Sequence, residues 1–146
     1  MPRNRPGALR AATTPGPRTR PVPPPSRIPG LSVRTSLAIH RADPSGTTAS
    51  ALRAYRAFLA QPGRRPLHPR ASACPACPGC ALDDVREARD VLAGTVPLLP
   101  PRPRSELSRT LAELDRRYRL RTLPDPRVGG TEPWWRRRLA EGAEGW

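Results

Sequence analysis

Three cysteines lie within seven residues, as Cys74-Pro75-Ala76-Cys77-Pro78-Gly79-Cys80, and His68 precedes the first of them by six positions. Where thiols are kept reduced, such clusters point to metal or redox work more than to structural disulfides. Pro and Gly between the cysteines suit the tight turns of a metal knuckle. Arg64, Arg65 and Arg70 nearby favour thiolates over thiols. A structural zinc site needs four donors of this kind. His68, Cys74, Cys77 and Cys80 are therefore the expected metal ligands, and zinc the expected cofactor. The two x2 spacings suit a cubane iron–sulfur cluster equally well. They also suit a redox thiol set, or plain free thiols in a surface loop.

A second group is made of arginines. All 26 basic residues of the 146-residue chain are Arg, against 12 acidic ones, and the net charge is +14. Arg3, Arg5, Arg10, Arg18, Arg20, Arg27 and Arg34 are spread over a segment without acids, and Arg64 and Arg65 follow in the Cys/His loop. Arginines so placed neutralise phosphates and release counterions, which gives salt-sensitive binding to DNA or RNA. No helix-turn-helix or RNA-recognition signature accompanies them, so base readout is not expected. The alternative is a solvated tail whose Arg content reflects GC-rich codons.

The third group is Pro133-Trp134-Trp135-Arg136-Arg137-Arg138-Leu139. Two indoles beside three guanidinium groups can stack on bases, lie at a membrane surface or seat in a partner's groove. With six aromatic residues in the whole chain, the competing expectation is that the indoles close the core. Catalytic patterns are poor. The two histidines belong to no Ser-His-Asp arrangement, Asp83-Asp84 reads as helix-start charge, and Gly129-Gly130 reads as a turn. An enzyme is not expected.

These groups must be carried by some scaffold. The 22 prolines and the scarcity of apolar groups before residue 46 predict a disordered basic arm over 1–45. A folded helical domain is then expected over 46–140, with the Cys/His loop at 64–80 and a frayed tail at 141–146. Leu52, Tyr55, Phe58 and Leu59 share one helical face after a cap at Asp43 or Thr47. Leu82, Val85, Ala88, Arg89 and Leu92 predict a second helix over 81–93 that stops at Gly94. Leu107, Leu111, Leu114 and Tyr118 predict a third over 105–120. A short terminal helix is expected from Thr131, with Trp134, Trp135 and Leu139 on its apolar side. The expected class is all-α: a small three-helix bundle plus a short C-terminal helix. No run reaches the roughly 18 apolar residues of a membrane span, and no apolar segment of secretory type follows the basic start. Cytoplasm is the expected location.

The cysteine segment resembles the first three ligands of a bacterial ferredoxin motif, but no fourth Cys follows Cys80. It also resembles the His…Cys-x2-Cys motif of zinc-binding anti-sigma factors, with a wider interval between His68 and Cys74. Across about residues 50–139 there is a further likeness. The Cys cluster with Ala81-Leu82-Asp83-Asp84-Val85-Arg86, then Leu123-Pro124-Asp125-Pro126-Arg127, then Pro133–Leu139, looks like small Arg-rich proteins of high-GC bacteria. That last resemblance implies no activity. Taken together, the residues predict a small accessory protein, braced by zinc, with non-specific affinity for nucleic acid. The alternatives are an adaptor that docks on a larger complex through Trp134, Trp135, Arg136, Arg137 and Arg138, and a thiol or metal redox sensor.

Overall fold

The structure, a computed structural model, describes residues 26–143. Among these residues five α-helices form and no strand does: α1 (Val33–Ala42), α2 (Thr47–Leu59), α3 (Pro78–Ala81), α4 (Val85–Thr95) and α5 (Pro101–Arg121). A 3-10 turn at Val96–Leu98 joins α4 to α5. The all-α class is as expected, but several boundaries are not.

The folded part begins well before residue 46. Ile28, Leu31, Thr35, Ser36 and Ile39 are buried, and the three apolar ones join the main core. Two hydroxyl residues complete the inward stripe of α1, so counting apolar residues alone hides its period. Their polarity is satisfied locally, as burial requires. Ser36 Oγ donates to Ser32 O at 2.9 Å and accepts from Ile28 N at 3.0 Å, while Thr35 Oγ1 donates to Glu106 Oε2 at 2.5 Å. Residues 26–45 therefore correct the expected arm. Arg3, Arg5, Arg10, Arg18 and Arg20, with residues 144–146 of the expected tail, lie outside the described residues.

Asp43 closes α1 and opens α2. Its amide bonds Ile39 O, and its carboxylate accepts from Thr48 N at 2.6 Å. Gly46, at φ 78°, makes the reversal between the two helices, a conformation that costs glycine little. α2 presents Ala51, Leu52, Tyr55 and Leu59 to the core, and α4 presents Val85, Ala88 and Leu92. A buried contact of 2.9 Å between the Thr48 and Thr95 hydroxyls ties this pair. α5 supplies Leu107, Leu111, Leu114 and Tyr118, the residues its spacing predicts, over a helix longer at its start than 105–120.

The expected helix over 81–93 is instead divided. Asp84 caps α4 through Arg86 N at 2.9 Å, so the helix starts four residues later and runs through Gly94. The expected C-terminal helix is a correction too. Residues 123–125 and 137–139 run side by side, with Leu139 N on Leu123 O at 2.8 Å and Asp125 N on Arg137 O at 3.0 Å. Only a turn remains between them, where Arg136 N reaches Pro133 O at 2.9 Å. Pairing with residues 123–125 competes for the backbone groups that a helix would use.

Leu31→Ala is expected to lower the unfolding free energy by about 2–5 kcal/mol. A chain starting at residue 46 is expected to lose cooperative unfolding. Urea denaturation followed by circular dichroism measures both, and a wild-type transition in the shorter chain contradicts the place of α1 in the core.

Candidate functional site

The loop between α2 and α4 holds the three thiols. Ser72 closes it: its hydroxyl accepts from Cys74 N at 3.1 Å and donates to Cys80 O at 2.7 Å. A turn bond of 3.4 Å from Cys77 N to Cys74 O, and one of 2.8 Å from Ala81 N to Cys77 O, fold the rest. Cys74, Cys77 and Cys80 are free and exposed. The Cys80 thiol neighbours those of both Cys77 and Cys74. The Cys80 backbone N–H, then its thiol, hold Cys77 below the ordinary thiol range. Cys80 itself is pushed up, chiefly by its bond to Cys77.

His68 is placed elsewhere. Its Nδ1 lies 3.3 Å from Leu139 O, and it lines a separate depression with Arg70, Leu82, Asp83 and Glu141. Among the described residues no group of three or more His, Cys, Asp or Glu side chains is placed to hold a metal ion.

The Trp/Arg segment turns inward. Trp134, Trp135, Arg136, Arg137 and Arg138 are all half-buried. Trp135 Nε1 donates to Asp90 Oδ1 at 2.7 Å. Its ring lies 4.3 Å from the Arg89 guanidinium carbon, and the Trp134 ring 4.0 Å from that of Arg119. Trp134 also meets Tyr118 edge-on, at 6.0 Å between centroids. Arg136 binds Asp90, and Glu87 at 2.6 Å. Arg138 donates to Thr122 Oγ1 at 2.7 Å and to Arg119 O at 2.9 Å, and Arg137 offers its carbonyl to Asp125. The segment is a latch across α4 and α5.

Most carboxylates are spent in the same way. Asp84 holds Arg86 at 2.8 Å, Asp115 holds Arg89 at 2.9 Å, Asp125 holds Arg127 at 3.0 Å, and Glu113 holds Arg116 at 2.7 Å. The described residues contain 21 arginines against 11 acidic residues, so a surplus remains. Six of its members line three adjoining depressions. Arg27, Arg53 and Arg56 line the first, beside α2; Arg56 and Arg109 line the second; Arg34, Arg102 and Arg109 line the third, between α1 and α5. Gly30 makes room for this band, since its φ is 75° and a Cβ there would meet Arg56 Nη2 at 3.0 Å. Arg56 Nη1 donates to Pro29 O, and burial lowers its proton affinity. Arg64 and Arg65 are exposed on the following loop, away from these depressions.

Two carboxylates line the band: Glu113, already paired with Arg116, and Glu106. The latter accepts from Thr35 Oγ1, from Ser32 Oγ at 2.7 Å and from Ser32 N at 2.6 Å. These bonds, that from Thr35 first, hold it below the usual carboxylate range. Its charge is thereby committed to the start of α1. Sequence reasoning anticipated Arg27 and Arg34 but not Arg53, Arg56, Arg102 and Arg109. The seven-residue repeat of Arg102, Arg109 and Arg116 along one helix was the available signal. No protein family, no curated protein and no solved structure matches this chain.

Because Glu106 is more acidic folded than unfolded, it stabilises the fold above the ordinary carboxylate range, and that stability is lost as pH falls through its lowered value. Glu106→Gln is expected to weaken the fold at neutral pH and to flatten the loss between neutral and acid pH. Thermal unfolding across that interval measures it, and an acid dependence equal to wild type rules the role out.

Proposed function

We propose that this chain is a small non-enzymatic accessory module that holds nucleic acid by its phosphates, without reading base sequence. One observation carries the reading: six arginines with no carboxylate partner among the described residues, Arg27, Arg34, Arg53, Arg56, Arg102 and Arg109, line adjoining depressions across α1, α2 and α5. The planar guanidinium fork matches phosphate oxygens and keeps its charge at any physiological pH. Arg102 and Arg109 are two helical turns apart, about 10 Å at the α-helical rise. That span is about three nucleotides of one DNA strand. Glu106 and Glu113 are the carboxylates among them, and six arginines outnumber the two, so the field of the band stays positive. The N-terminal Arg3, Arg5, Arg10, Arg18 and Arg20 precede the band in the chain and add five further charges.

Binding of a random-sequence DNA duplex, measured by fluorescence anisotropy over a range of salt, tests this. The triple variant Arg34→Gln, Arg102→Gln, Arg109→Gln is expected to keep its melting temperature. Its salt slope is expected to become shallower by up to about three, since each lost phosphate contact removes about 0.9. An unchanged slope, or an affinity that follows base sequence, refutes the proposal.

A further inference from the structure

We propose that Cys77 and Cys80 form a redox-active dithiol, with Cys80 as the thiol on which both neighbours converge. The inference stands apart from the arginine band and rests on the loop geometry. Ser72 bridges Cys74 N–H and Cys80 C=O, which brings the two ends of the cluster together. Cys77 stands at the N-cap of α3 and Cys80 within its single turn, with Ala81 N on Cys77 O at 2.8 Å, so the two side chains leave the same turn three positions apart. All three sulfurs face solvent, so an oxidant reaches them without opening the fold. The buried core comes no nearer in sequence than Leu82, so a new bond here spans only the short α3 turn and leaves α2 and α4 in place.

The oxidant class is a hydroperoxide. Cys77 sulfur gives an electron pair to the terminal peroxide oxygen; the O–O bond breaks, an alcohol leaves with the thiol's proton, and Cys77 becomes a sulfenic acid. Cys80 sulfur then attacks the Cys77 sulfur; the S–O bond breaks and water leaves with the Cys80 proton. Two thiols lose two electrons and two protons in all, and the peroxide becomes alcohol and water. A reducing thiol reverses the change.

The test uses the full chain, reduced and then exposed to equimolar hydrogen peroxide, with free thiols counted. Trypsin cuts after Arg70 and Arg86, so one peptide carries all three cysteines, and tandem mass spectrometry of it under non-reducing conditions locates the bond. The expected result is loss of two thiols together, a Cys77–Cys80 disulfide, and full recovery with dithiothreitol. Cys80→Ser is expected to abolish the intramolecular disulfide and to leave a Cys77 sulfenic acid that a 1,3-dione traps. Cys74→Ser is expected to behave as wild type. A disulfide that persists in Cys80→Ser, thiols that oxidise singly without a crosslink, or crosslinks only between chains would overturn the proposal. Helix content by circular dichroism confirms that each variant is folded.

Discussion

Asp115 stands where three helices meet, and the arrangement around it sets the rest. Its carboxylate takes Arg89 Nε and Nη2, both at 2.9 Å, and the Tyr55 hydroxyl at 2.8 Å. One acid on α5 thus fixes both α2 and α4. The two charged side chains are only 11% and 14% exposed, so each depends on the other for its charge to be tolerated. Arg89 Nη1 has no hydrogen-bond partner among the described residues, and its guanidinium instead lies against the Trp135 ring. That contact brings the C-terminal latch onto the same tie. Burial, and then Asp115, push the Tyr55 phenol up, so it stays a neutral donor.

The tie also explains how an arginine-rich chain sorts its arginines. Those facing inward, Arg86, Arg89 and Arg136, each meet a carboxylate. Arg138 meets backbone and a hydroxyl. A long stem and a planar head with five donors let one residue type serve both as core spacer and as hydrogen-bond hub. On the surface Arg70, Arg116 and Arg127 take Glu141, Glu113 and Asp125, and among the described residues Arg34, Arg102 and Arg109 are left outside any ion pair. Positioning α5 through Leu107, Leu111, Leu114, Asp115 and Tyr118 places Arg102 and Arg109 on its outer side, next to Arg34 of α1. A stable interior and an arginine-rich exterior are two results of one distribution of acids.

How far this was legible differs by element. The Leu107–Leu111–Leu114–Tyr118 stripe is a plain helical period, and α5 follows it. Arg89 was readable as an inward residue, but its partner was not, because Asp115 lies 26 positions away on another helix. α1 was hidden because its stripe is completed by Thr35 and Ser36, whose burial depends on Glu106, distant in sequence. The indoles of Trp134 and Trp135 read equally as core or as patch. The structure gives them to the core, and it replaces the expected helix with a turn because residues 123–125 claim the backbone groups. For the thiols, spacing announced a cluster, and only the path of the loop puts Cys77 and Cys80 on the single turn of α3 and engages His68 elsewhere.

The most direct measurement is the unfolding free energy, from urea titration at neutral pH, of a double-mutant cycle on Arg89→Met and Asp115→Leu. If the buried pair joins the helices as described, each single change leaves a buried charge unpaired and costs about 3–5 kcal/mol, while the double change recovers most of that loss. Single costs below about 1 kcal/mol, the level of an exposed ion pair, or a double variant as weak as the sum of the two, would contradict it.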